Sequence, residues 1–330
     1  MKFGEVNSDN AIGSILAHSI YVGKELFRKG KVLSKDDVAK LNQCSVKSIV
    51  VARLSSDDVH EDLAALEIAS AISASLNPKH FELSRAFTGR VNIISKVQGV
   101  VELNVDIINR LNLIDPMLTC ATLVPFSKLE IGTLIATVKI IAYSIPKTVL
   151  ASGVSIAGDS IRIHPVVIST ADLVISRIGN KDLGDKGIKV IERRLNNLGI
   201  KLISTPIVRH TVKDLADGIG ICSSQMILML TASATSDVLD VGPEALTRSG
   251  GKLVRFGMPA DPGNLLFFGY LDSRSVIGLP GCARSPSMNG VDWVLERLSC
   301  GLTLTDRDIS FMGVGGLLKE MSKRPQPRRG

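Results

Sequence analysis

A chain of 330 residues, 45% hydrophobic and 22% charged, is long enough for two or three domains around buried cores. Aromatics reach only 4%, which argues against stacking of nucleic-acid bases along a groove. The formal charge is +7, but residues 319–330 hold five basic residues against one acid, so the rest is mildly basic and suits a phosphate-bearing ligand better than a broad nucleic-acid surface.

Five cysteines, at positions 44, 120, 222, 282 and 300, form no CxxC pair, which argues against a disulfide framework and a zinc knot. The N-terminus has no apolar signal-peptide core, and the longest apolar run, residues 131–145, is interrupted by Lys139 and too short to span a bilayer. A reducing cytoplasm is the expected setting, with no membrane partner.

Residues 1–54 read as a small α/β opening segment. Residues 23–33 suggest a hairpin. Ser34 followed by Asp36 and Asp37 predicts a capped helix over 34–41, and 48–54 is a strand. Ser and Asp residues at 55–58 then cap an Ala/Leu-rich helix that runs to about residue 75. Short apolar runs punctuated by Gly and Pro make 81–150 mainly β, with a short helix at 106–112 and the best strand at 131–141. Residues 55–150 therefore form a helix-plus-β domain, and the Gly/Ser-rich stretch 151–165 reads as a linker.

From 166 to 305 the rhythm changes to strand, loop, helix. Strands fall at 165–170, 201–204, 226–230, 252–256, 265–268 and 275–278, and helices at 188–198, 211–218, 243–248 and 289–300. The fold class is α/β: a three-layer, mostly parallel sheet behind an N-terminal α+β, β-rich region. Right-handed crossovers put the ligand loops at the carboxyl ends of the strands. Residues 306–330 read as a C-terminal segment ending in a basic linker.

Several short stretches could carry chemistry. The hydroxyls of Thr231, Ser233 and Thr235 follow a buried strand and, with the free N–H groups of the next helix, can hold phosphate oxygens. Asp240 sits near that helix's start; capping is its plainer role, with metal or pterin N–H binding as the functional one. Asp-Pro-Gly-Asn at 261–264 is by itself a turn. In 279–286, Gly281 permits close backbone approach and Arg284 offers a fork of donors to an anion. Cys282 has no histidine in its segment and reads as a small hydrophobe, not a nucleophile. His60, Glu61 and Asp62 are adjacent, so they do not share a helix face and read as first-turn charge. The polar turn 88–92 is a weaker candidate for lining a site, while His18, His164 and His210 stand alone and read as structural or surface residues.

Residues 166–300 resemble the molybdopterin-binding domain of the molybdopterin molybdotransferase family. The family's Thr-Gly-Asp-Glu signature falls on Thr170, Ala171, Asp172 and Leu173. Its Gly-Gly-x-Ser-x-Gly-x-x-Asp loop falls on 232–240, keeping Asp240 and a hydroxyl at Thr235. Its Pro-Gly-Lys loop falls on Pro262, Gly263 and Asn264, and its Leu-Pro-Gly-Asn-Pro loop on Leu279, Pro280, Gly281, Cys282 and Ala283. The first 54 residues also resemble that family. Longer stretches at 257–266, 281–298 and 312–318 resemble the N-terminal part of fused bacterial proteins in which a cytidylyltransferase-like domain follows.

The resemblance implies molybdopterin as ligand, held by these residues with Ser285 and Asn289 as second-rank contacts, and Asp240 as the one catalytic candidate. It also implies molybdate and magnesium as further ligands, a homo-oligomer, and a nucleotidyltransferase partner fused C-terminally or acting in trans. The chain departs from the family pattern at Ala232-Ser233 and Asp237, where the family has glycines, at Leu173, where it has an acid, and at Asn264, where it has a lysine. The expectation is therefore a molybdopterin-binding module that presents the cofactor for metal insertion or nucleotide attachment. The alternatives are an active molybdotransferase and a non-binding scaffold of a fused nucleotidyltransferase.

Overall fold

A computed structural model of the chain describes residues 1–179 and 185–318. The basic tail expected from residue 319 onward lies outside the described residues. The chain divides into two compact units, one of Met1–Val97 with Val101–Ile163 and one of Gln98–Val100 with His164–Gly330.

The first unit holds two hydrophobic clusters. In the smaller, Lys2–Asn7, Ser48–Arg53 and Ile15–Leu16 form an antiparallel sheet, and the helix Lys35–Gln43 packs Val38 and Leu41 into the cluster with Phe27 and Val51. Ser34 caps that helix as expected: the Asp37 N–H donates to its hydroxyl at 3.1 Å, and the Ser34 N–H donates to Asp37 at 3.0 Å. The hairpin lies earlier than 23–33, in Ile20–Val22 and Glu25–Phe27, because the chain reverses at Gly23, where φ is +61°.

In the larger cluster the helix Glu61–Ser73 packs Ile68 and Ile72 against Val91, Ile93, Val138 and Ile140 of a four-stranded antiparallel sheet. This helix starts later than the Ser/Asp run at 55–58 suggests. Asp58 instead accepts the Ser55 N–H at 2.7 Å, closing a turn, and His60 Nδ1 caps the helix through the Asp62 N–H.

Residues 151–165, read as a linker, are the end of a helix, Lys147–Ala157, and a strand, Ile161–Pro165. The small residues serve packing: a Cβ on Gly153 would lie 2.5 Å from Ile68 Cδ1, so glycine lets this helix approach its neighbour closely.

The second unit is the α/β sandwich. Its elements are β1 (Thr170–Arg177), α1 (Asp185–Asn196), β2 (Lys201–Ser204), β3 (Ile207–Arg209), α2 (Val212–Gly220), β4 (Met226–Leu230), α3 (Val241–Arg248), β5 (Lys252–Phe256), β6 (Phe267–Leu271), β7 (Arg274–Leu279), α4 (Gly290–Ser299) and α5 (Asp306–Ser310). The sheet order is β2-β1-β4-β7-β6-β5, with β3 also pairing β1. Strands β2, β3, β1, β4 and β7 are parallel to their neighbours; β6 and β5 close the far side antiparallel.

Successive strand residues face opposite sides, so Leu173 and Ile175 join α1 and α4 in one apolar layer while Val174 joins α2 and α3 in the other. Each face is covered by helices, which fits continuous apolar strands such as Met226–Leu230, buried throughout. No helix among the described residues is long and apolar enough to cross a membrane.

The expected strand at 165–170 is displaced. The buried strand is β1, whose residues 171–175 are at most 1% exposed, whereas Val167 is 56% exposed. Both stretches are apolar in sequence; burial against α1 and β4 selects the second. Thr170 and Asp172 therefore begin β1 instead of following its end.

Candidate functional site

The parallel register sets which loops meet. Leu230 of β4 lies opposite Leu279 of β7, and Phe267 of β6 opposite both Gly278 and Phe256. The loops 231–240, 257–266 and 280–289 consequently leave the sheet on one edge, at the carboxyl ends of β4 and β7. They enclose a cleft of about 290 Å³, lined by Ala234 from the first loop, Asp261, Pro262, Asn264 and Leu265 from the second, and Pro280, Gly281 and Cys282 from the third.

Several expected site residues line this cleft or flank it. Pro262, Asn264, Pro280 and Gly281 line it, with Asn264 and Gly281 exposed. Gly263, at φ +138°, packs behind it: a Cβ there would lie 2.8 Å from the Gly290 nitrogen. Ser233 is exposed and its carbonyl accepts the Thr231 hydroxyl at 2.8 Å, while Thr235 is buried. Arg284 donates from Nη2 to the Thr231 carbonyl at 3.2 Å, tying the first loop to the third; its buried Nε has no partner among the described residues. Ser285 is exposed, with its hydroxyl 3.2 Å from that of Ser287.

Two expected anchors serve the fold instead. Asp240 caps α3, accepting the Val241 N–H at 2.7 Å and the Ser236 N–H at 2.9 Å. Asn289 caps α4: it is 1% exposed, accepts the Val291 N–H at 3.1 Å and donates to Cys282 Sγ at 3.1 Å. The α4 start is closed further by Gly290, whose N–H donates to the Pro262 carbonyl at 2.8 Å, and by Asp292, which accepts the Asn289 N–H. At both helix starts, N–H groups of the first turn are thus taken up by the chain's own caps and loops.

Thr170 and Asp172 belong to the opposite edge, where β1 begins. Thr170 accepts the Gln225 N–H at 3.3 Å. Asp172 is 1% exposed and accepts from the Ser204 hydroxyl at 2.7 Å and from the Ser223 and Ser224 N–H groups at 3.0 and 2.9 Å. Burial pushes its carboxyl upward, but these hydrogen bonds outweigh it and hold the carboxyl below the ordinary value. Both residues drop out of the cleft.

Two contacts were not legible beforehand. Arg194 of α1, with a side chain only 10% exposed, pairs with Asp292 and donates to the carbonyls of Ser285 and Ser287 at 2.6 and 2.9 Å, holding the third loop in place. At the carboxyl end of β1, the buried Ser176 hydroxyl accepts the Ala232 N–H at 3.0 Å and lies 2.8 Å from His210 Nδ1. His210, alone in sequence, thus supports the start of the first loop. Among the described residues no group of three or more His, Cys, Asp and Glu side chains could hold a metal ion.

A domain of unknown function, DUF8806, matches residues 5–53. No curated protein sequence matches the chain. Among solved structures, the chain is similar to the molybdopterin biosynthesis MoeA protein from Pyrococcus horikosii at 10% identity and TM-score 0.32, over 91% of this chain and 75% of that one. It is also similar to molybdenum cofactor biosynthesis protein B, at 12% identity and TM-score 0.30 over 41% of this chain and 96% of that one. A Corynebacterium diphtheriae protein of molybdenum cofactor biosynthesis shows 17% identity and TM-score 0.28 over 39% of this chain and 90% of that one.

Proposed function

We propose that the chain is a molybdopterin-binding module in molybdenum cofactor biosynthesis, with the pterin seated in the cleft at the carboxyl edge of the α/β sheet. One observation carries this reading. The loops that resemble the family's binding loops, at 231–240, 261–264 and 279–286, come together on one edge around a single cleft. Its volume, about 290 Å³, is near the lower end of small-molecule pockets and suits a fused heterocycle. Exposed Gly281 and Asn264 would lie against the ligand, with Pro262 and Pro280 as rigid walls. Metal insertion or nucleotide attachment would fall to a partner domain.

A second reading, a scaffold that binds no pterin, draws on the capped helix ends at Asp240 and Asn289. Titration of the purified chain with molybdopterin, followed by the fluorescence of the released and oxidised pterin, separates the two. Saturable, stoichiometric binding is expected. A folded chain that binds none at high micromolar concentration establishes the scaffold reading instead.

A further inference from the structure

The first cleft loop leaves β4 under the control of side chains. Ile175 of β1 lies opposite Leu230, so Ser176 is one residue past that pair, beside the start of the loop. The buried Ser176 hydroxyl accepts the Ala232 N–H at 3.0 Å. From the third loop, Arg284 Nη2 donates to the Thr231 carbonyl at 3.2 Å. The Thr231 hydroxyl donates to the Ser233 carbonyl at 2.8 Å. Hydroxyl and guanidinium groups thus hold the main chain of three consecutive residues, and Ala234, which follows them, lines the cleft.

Behind Ser176 stands His210, the residue after β3. Arg209 of β3 lies opposite Arg177, and the His210 N–H donates to the Arg177 carbonyl at 3.0 Å. The imidazole Nδ1 then lies 2.8 Å from Ser176 Oγ. A serine hydroxyl has one proton and two lone pairs. The Ala232 N–H takes a lone pair, which leaves the hydroxyl proton for Nδ1. An imidazole that accepts at Nδ1 carries its own proton on Nε2. In the reverse arrangement Nδ1–H and the Ala232 N–H both donate to Oγ. The hydroxyl proton of Ser176, a residue 0% exposed, then needs a third group as acceptor.

We infer that Ser176 and the Nε2-protonated tautomer of His210 form a relay that sets the path of the first loop. His210 is then a positioning residue for the cleft, although it stands outside the residues that line it. The positioning role rests on the reading of the cleft as a pterin site, whereas the relay itself does not.

The test uses the full chain, labelled with nitrogen-15, in mildly alkaline buffer. With five histidines, the imidazole signals can be assigned by substitution. His210 is expected to show an unprotonated Nδ1 and a protonated Nε2. His210→Ala should move the Ala232 amide resonance and weaken molybdopterin binding by about fivefold. His210→Asn, whose side-chain oxygen can take the place of Nδ1, should restore affinity to within about twofold. His210→Gln, whose amide lies one bond further out, should not. Ser176→Ala should lose as much as His210→Ala, and the double variant no more than either, because the two side chains act as one unit.

A proton on Nδ1, an unmoved Ala232 resonance in folded His210→Ala, equal rescue by Asn and Gln, or losses that add would each overturn the inference. If Ser176→Ala does not fold, the His210 series decides it, since that side chain is only half-buried. A folded wild type that binds no molybdopterin sinks the parent reading and the positioning role, while the nitrogen signals still decide the relay. Tight molybdopterin binding that is unchanged in His210→Ala sinks the inference alone.

Discussion

Asp172 and Asp261 stand on opposite edges of the same sheet. Asp172, near the start of β1, is 1% exposed and takes three hydrogen bonds from Ser204, Ser223 and Ser224. Asp261, beyond the end of β5, lines an open cleft while its backbone is pinned by residues 316–318. The amino edge of the sheet uses its buried acid to satisfy one buried and two half-buried donors. At the carboxyl edge the main chain of Asp261 is fixed by hydrogen bonds and the residue lines the cleft. Stability and recognition are thus expected to be separable by mutation in this unit.

The comparison breaks first at Asp172. Asp172→Ala strands the buried Ser224 N–H and two part-buried donors, the Ser223 N–H and the Ser204 hydroxyl, and is expected to cost roughly 3 kcal/mol. Urea unfolding measures the loss, and cleft affinity of the remaining folded protein should not move. The pH dependence follows from the same contacts. Because the folded carboxyl titrates below its usual value of 3.8, its contribution is full above that value and is lost as pH falls through the depressed one. The stability gap between wild type and Asp172→Asn should therefore shrink with acidification and not with alkali.

Arg194→Ala is next, at about 3 kcal/mol, because it leaves Asp292 without its guanidinium partner and releases two loop carbonyls. Unlike Asp172, Arg194 supports the carboxyl edge. Its loss should also make 285–287 more susceptible to proteolysis, measured by cleavage under native conditions.

Asp240→Ala should cost about 1 kcal/mol, the ordinary value of a helix cap, and a chemical denaturation curve will show it. A far larger effect on pterin binding than on stability would return Asp240 to a direct role. Ser233→Ala is the smallest, within about 0.5 kcal/mol, since its exposed hydroxyl makes no hydrogen bond among the described residues. A thermal melt matching wild type is the expected result.

Much of the architecture was legible. Ser34 and Asp37 announce their helix because capping chemistry is local, and the helix over 289–300 follows from its apolar spacing. The three cleft loops were also located, since Gly and Pro punctuate the ends of apolar runs. Their occupants were less legible. Thr231, Ser233, Thr235 and Arg284 looked like phosphate donors by residue type, yet Thr231 and Arg284 spend hydrogen bonds on the loop itself and Thr235 is buried.

The sequence alone determined the alternation of strand and helix, the two-sided apolar character of β4, and the weak charge of the chain outside residues 319–330, because periodicity and composition are properties of neighbouring residues. Tertiary structure decided the rest. It selected residues 170–177 over 165–170 as the first strand of the sandwich, sending Thr170 and Asp172 to the far edge, and it brought Arg194 under a loop 91 residues away. A side chain's edge depends on where its strand starts and which neighbour buries it. Those are long-range packing choices, and local residue patterns do not contain them.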